Sequence, residues 1–329
     1  MAERSTPERG DQPRENEKYG TADSEEGNRD LDGSERDARA DRGPVSEFAA
    51  DDLVVGYPGI DEPVIEGETL RVPPGKVTAL IGPNGSGKST FLKGCARQLT
   101  PESGAVLLDG RTVESFGPKE FARRLGLLSQ ENTSPASISV DDLVERGRYP
   151  HNGFLESPGK HDENAVDEAI SLAGIEHLRD REVGSLSGGQ KQLVWIAMAL
   201  AQDTDVLLLD EPTTFLDPHH QLEVMQIVER LRDESRTTVV LVLHDIAQAA
   251  RYGDYVVALK DGTIRASGPP ETVVTRELLA DVFEIDAEVI DTEHGPVVVP
   301  LDPIGEDHPN RTSASESIPR GDTEGTDSE

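Results

Sequence analysis

The sequence predicts an α/β fold in which a mostly parallel sheet is packed by helices, preceded by an antiparallel β subdomain and interrupted by a helical insert. Two observations predict it. Short β-branched runs alternate with helical stretches, and each of the most apolar runs ends in a loop that carries a polar residue.

The elements follow in order. Phe48 to Val55 and Val64 to Val72 alternate apolar with polar residues across a Gly- and Pro-rich turn, which predicts the antiparallel sheet in front. Val77 to Ile81, Arg124 to Ser129, Val206 to Leu209 and Thr238 to Leu243 read as strands of the parallel sheet. An open α/β sheet binds its ligand at the carboxyl ends of such strands. From about Glu131 to Ser185 the strand pattern is missing, which gives a helical insert over about 131–190, with Val140 to Arg146 and Asn164 to Ala173 reading as its helices. Thr272 to Phe283 reads as helix and Val297 to Val299 as a short strand, both with a packing role only. The expected organisation is a folded domain over 48–290 and a short extension over 291–304. The tails 1–47 and 305–329 hold too few large apolar residues to offset their ordering entropy and are predicted to be disordered.

Composition narrows the function. The 329 residues include 64 acidic and 32 basic side chains, a net charge of -32, which repels phosphate backbones and excludes direct nucleic-acid binding. The bases are mostly arginine, and acids such as Asp141, Asp142, Asp162 and Glu163 fall inside the folded part. This predicts a surface suited to concentrated salt, as in haloarchaeal proteins, with unfolding on dilution. Cys95 is alone, so it makes no intrachain disulfide and reads as buried filler. No stretch reaches the roughly 18 apolar residues that span a bilayer, and the N-terminus lacks the apolar core of a signal peptide. A cytosolic location, with membrane contact only through a partner, is expected.

The first strand of the parallel sheet runs into Gly82, Pro83, Asn84, Gly85, Ser86, Gly87, Lys88, Ser89 and Thr90, a match to G-x-x-x-x-G-K-S. Such a loop wraps phosphates with its backbone, Lys88 reaches the β and γ groups of ATP, and Ser89 offers a hydroxyl to Mg²⁺. The third strand ends in Asp210 and Glu211. Beside a phosphate loop, Asp210 suits Mg²⁺ and Glu211 suits polarising an attacking water. Gln130 and His244 end two further strands. From spacing alone each reads either as a structural residue or as a contact to the γ-phosphate, the attacking water or Mg²⁺. The stretch "LSGGQ" at Leu186 to Gln190 is a second Gly-rich turn ahead of an apolar helix, a phosphate cradle that the chain's own loop makes redundant.

Together these blocks resemble the nucleotide-binding subunit of an ATP-binding-cassette (ABC) transporter over about 48–290, a P-loop ATPase. The resemblance implies that Tyr57 stacks on adenine, that Gln130 is the Q-loop and that Asp210 and Glu211 belong to Walker B. It makes "TFLD" at Thr214 to Asp217 the D-loop and His244 the switch histidine. Ser187, Gly188, Gly189 and Gln190 become the signature that contacts the γ-phosphate held by a second copy, so neither copy alone completes a site. "GRYPH" at Gly147 to His151 and the segments 195–217 and 244–262 resemble ferric-siderophore importers, with cobalamin and haem importers as close alternatives. The implied partners are a second copy, membrane permease subunits touched by residues from Gln130 to about His151, and an extracytoplasmic binding protein. The implied place is the cytoplasmic face of the membrane.

Rival classes fit less of the sequence. A P-loop kinase has no use for Leu186 to Gln190. A non-transport ABC ATPase would be expected to show two cassettes or a long coiled coil. A binding module without turnover would be expected to lack Glu211 or His244. His219 and His220 read as a solvated first helical turn rather than a metal pair, Arg123 and Arg124 as surface charge, and Trp195 and Met198 as core positions.

Overall fold

The computed structural model describes residues 45–305 apart from 131, 134 and 153–158, so the two tails expected to be disordered lie almost wholly outside the described residues. A four-stranded antiparallel sheet has the order β2-β1-β4-β5, built from β1 (Phe48–Val55), β2 (Ile65–Val72), β4 (Ser103–Leu108) and β5 (Arg111–Thr112). Its inner face supplies Leu53, Val55, Ile65, Val106 and Leu108 to the core, in keeping with the alternation in the sequence.

The second sheet has six strands in the order β10-β9-β3-β8-β7-β6. Here β3 is Val77–Ile81, β6 Leu125–Leu128, β7 Val206–Leu209, β8 Thr238–Val242, β9 Tyr255–Lys260 and β10 Thr263–Gly268. Strands β6, β7, β8, β3 and β9 are parallel, and β10 is antiparallel at the edge. Every residue of β3, β7 and β8 is buried, as expected of strands covered on both faces. Helix α1 (Lys88–Cys95) follows β3, and α2 (Pro118–Arg124) leads into β6.

The helical insert consists of α3 (Val140–Glu145), α4 (Lys160–Leu172) and α5 (Gly188–Ala201), which pack on one another through Val140, Leu143, Ile170 and Leu193. Helices α6 (Pro218–Glu234) and α7 (Ile246–Tyr252) follow β7 and β8. The segment expected to be one helix over 272–283 breaks into α8 (Pro270–Val273) and α9 (Arg276–Phe283), because Thr275 caps α9 by accepting a bond from the Leu278 N–H at 3.2 Å.

Strands β4, β5, β9 and β10, together with β11 (Ile285–Thr292), go beyond those read from the sequence. The expected strand at Val297 to Val299 is the middle of β12 (Gly295–Pro303), paired antiparallel with β11, and the boundary expected at residue 290 lies within that ribbon. Among the described residues no helix is long and apolar enough to cross a membrane.

Candidate active site

The chain leaves β3 at Ile81 and turns through residues 82–87 before α1 begins at Lys88. The turn passes so close to β9 that a Cβ at Gly82 would lie 2.1 Å from the carbonyl oxygen of Leu259, so only glycine fits there. Lys88 is folded back over the loop, donating to the carbonyls of Gly82 and Pro83 at 2.9 Å each. Burial lowers its pKa, and the charges of Glu211 and Asp210 oppose that shift. The buried Ser86 Oγ has no hydrogen-bond partner among the described residues. A buried polar oxygen inside a phosphate-type loop fits an anionic ligand that supplies its missing partner. Tyr57 lies at the end of the same loop, its hydroxyl 3.2 Å from Thr90 Oγ1.

Ser89 donates to Asp210 Oδ1 at 2.8 Å. Burial pushes the Asp210 carboxyl up against the lowering effect of the Ser89 bond, and the charge of neighbouring Glu211 adds to the rise. A hydroxyl and a buried carboxylate at hydrogen-bond distance are hard oxygen donors, so the pair fits Mg²⁺.

Glu211 begins the turn after β7 with φ of 52°, a left-handed conformation that costs energy for a side chain of its size. The strained turn aims its carboxylate between three donors. Gln130 Nε2 donates to Oε2 at 2.7 Å, Thr214 Oγ1 to Oε2 at 3.1 Å, and His244 Nε2 lies 2.7 Å from Oε1. Gln130, Glu211 and His244, read separately from three strand ends, therefore meet at one carboxylate. The Thr214 contact was not legible, although its place three residues after Glu211 in a tight turn is the signal that would have found it.

The signature residues do not join this cluster. Ser187 caps α5, accepting from the Gln190 N–H at 3.2 Å, while Gln190 Oε1 accepts from the Ser187 N–H at 3.2 Å. Among the described residues, neither hydrogen-bonds Lys88, Ser89 or Glu211. Gly188 and Gly189 form the first turn of α5. Asp217 caps α6, accepting from the N–H groups of His219 at 3.0 Å and His220 at 3.1 Å.

Several minor readings change. Arg124 is not loose surface charge, since its guanidinium pairs with both Asp109 and Asp205 and bonds Ser46 Oγ. His220 is not a solvated residue, since its ring lies against Gly189. Trp195 and Met198 do pack against the core, and Cys95 is buried, its thiol pKa raised by burial.

The family described as ABC transporter matches residues 65–214. The ferric enterobactin transport ATP-binding protein FepC of Escherichia coli (strain K12) is 45% identical over 259 residues, covering 78% of this chain and 95% of that protein. The iron(3+)-hydroxamate import ATP-binding protein FhuC of Bacillus subtilis (strain 168) is 41% identical over 246 residues, 75% of this chain and 91% of that protein. Among solved structures, the dimeric structure of MJ0796, a bacterial ABC transporter cassette, superposes with a TM-score of 0.60 at 27% identity, covering 68% of this chain and 98% of that one.

Proposed function

The chain belongs to the ATP-binding subunits of ABC transporters and is an ATPase, and from that premise we propose that it energises the uptake of ferric siderophore through a membrane permease. The single observation that supports turnover at this site is the placement of Glu211, whose carboxylate is bonded by Gln130, Thr214 and His244 next to the Ser89–Asp210 pair. The siderophore assignment rests on the named cargo of its relatives.

Lys88 and the loop 82–90 hold the phosphates of ATP, with Tyr57 against the adenine. Ser89, Asp210 and Gln130 would hold Mg²⁺, which when bound offsets charge on the β- and γ-phosphates. Glu211 takes the proton of the attacking water, and the Gln130 and His244 contacts fix where its oxygens lie. His244 also senses the γ-phosphate from the end of β8. Ser187, Gly188, Gly189 and Gln190 of a second copy complete the site, with Asp217 at the junction between the copies. ATP binding closes the pair and product release reopens it.

The permease contact falls between Gln130 and about His151 on the insert, where Tyr149 is 63% exposed. On this reading the protein works at the cytoplasmic face of the membrane, reached through the permease, and an extracytoplasmic binding protein delivers the cargo. The test is reconstitution with the cognate permease and binding protein, scoring which cargo stimulates ATP hydrolysis. Ferric siderophore is expected to do so, and stimulation by cobalamin or haem but not by iron chelates would overturn the cargo.

A further inference from the structure

The first turn of α6 touches more of the site than a helix start requires. His220 Nδ1 lies 2.7 Å from Asp217 Oδ2, so the imidazole is tied to the acid that caps its own helix. Its side chain is 20% exposed, against 78% for neighbouring His219, which lies 3.6 Å from Glu223 and edge-on to the His220 ring. The buried ring face lies on α5. A Cβ added at Gly189 would stand 2.2 Å from His220 Cδ2 and 2.6 Å from Nε2, so the absence of a side chain at this signature position is what admits the ring.

Gln221, next on the helix, bonds in the other direction. Its amide donates to the Leu216 carbonyl at 3.1 Å, and its own carbonyl accepts from Gln248 Nε2 at 3.0 Å, on the helix that follows His244. One helical turn thus contacts the signature turn, both ends of the Leu216–Asp217 segment and α7.

We propose that His220 is a positioning residue for ATP hydrolysis, a latch between Gly189 of the signature turn and Asp217 of the loop that leads back to Thr214 and Glu211. The inference rests on the ATPase reading. A phosphate contact made by Ser187 to Gly189 presses on a rigid ring with no free space beneath it, and the ring passes the displacement to Asp217 through a direct bond. From Asp217 the chain runs three residues back to Thr214, which donates to Glu211 at 3.1 Å. Engagement of the signature with one nucleotide is thereby registered at the water-activating carboxylate of the same chain, whose own nucleotide lies across the dimer. Such coupling is a property of a physical contact whose removal can be measured.

The test uses the full chain. His220→Ala is expected to lower kcat at least about fivefold while KM for ATP stays within about twofold and Tm within about 4 °C. His220→Asn, which keeps a donor for Asp217, is expected to recover most of the loss. His220→Phe fills the space over Gly189 without bonding Asp217, and is expected to turn over slowly; should the alanine variant not fold, it decides the matter. Wild-type turnover by His220→Ala or His220→Phe overturns the latch. So does an equal loss of kcat and Tm in the alanine and asparagine variants, which is the mark of a structural role alone. The wild type is assayed beside them: no turnover there overturns the ATPase reading along with the latch, whereas turnover there with an unimpaired His220→Ala overturns the latch alone.

Discussion

His244 Nε2 lies 2.7 Å from Glu211 Oε1, and this contact joins the end of β8 to the turn after β7 across the middle of the site. Glu211 Oε2 is engaged as well, by Gln130 and Thr214. A carboxylate with both oxygens bonded is fixed in position, and its three donors leave one of about four lone-pair sites open to a proton from water. The Thr214 bond is the longest of the three at 3.1 Å.

Thr214→Val removes that hydroxyl while keeping the shape of the side chain. A hydrogen bond to a charged group is worth about 1.5 kcal/mol, or about tenfold in rate. Steady-state assays are expected to show kcat lowered by up to that factor with KM for ATP unchanged. A raised KM with normal kcat would place Thr214 in ground-state binding instead.

Glu211→Gln keeps the carboxamide oxygen as an acceptor but removes the proposed base. Hydrolysis is expected to fall at least about 100-fold, while ATP is retained and drives the chain into a dimer on size-exclusion chromatography. Undiminished turnover would remove Glu211 from its role.

The legibility of this site followed from backbone constraints. Buried strands must end in something, and β3, β6, β7 and β8 end near Gly82, Gln130, Asp210 and His244 at one sheet edge, so their meeting could be read from the sequence. Contacts set by helix packing were not legible. The His220 ring over Gly189 depends on how α6 lies against α5, and the Arg124 pairs depend on Asp109 and Asp205 arriving from β4 and the start of β7. The run of four buried apolar residues in YVVALK is the sequence signal for β9, whereas β10 is a partly exposed edge strand with no such run.

Asp162 turns inward, although its sequence context groups it with the surface acids. It pairs at 2.9 Å with Arg148, whose side chain is fully buried. Burial works to raise the Asp162 pKa, but the Gly159 N–H and the Arg148 guanidinium outweigh it and hold the carboxyl below its ordinary value. A depressed carboxylate contributes stability that is present above the unfolded pKa, about 3.9, and is lost as pH falls through the lower folded value. Asp162→Asn strands a buried cation and is expected to cost roughly 3 kcal/mol at neutral pH in urea titrations. Below about pH 4 the gap to wild type should close. A gap that stays constant from pH 7 to pH 3 would assign the loss to packing.

The net charge of -32 sets the response to salt. Asp51, Asp52 and Glu66 are exposed acids on β1 and β2, and like charges on one surface repel within the screening length. Screening shortens from about 10 Å at 0.1 M to about 3 Å at 1 M, so added salt relieves this repulsion while buried pairs such as Arg148–Asp162 are little affected. Tm is expected to rise steeply with KCl. A melting temperature independent of salt would remove the halophilic reading.

Ser187 has one observed job and one proposed job, and one substitution tells them apart. Its hydroxyl caps α5 at 3.2 Å from the Gln190 N–H, a role worth about 1 kcal/mol in stability. Its proposed second job is contact with the γ-phosphate on the other copy, in keeping with a hydroxyl at the positive end of a 14-residue helix. Ser187→Ala is therefore expected to lose a few degrees in Tm and to keep monomer ATP binding nearly intact, measured by titration with a fluorescent ATP analogue. Hydrolysis should fall far more than that stability loss explains. Mixing Ser187→Ala with Lys88→Ala subunits then assigns the contact. In trans, one heterodimer site joins an intact loop to an intact signature, and partial activity returns. In cis, every site is broken and none does.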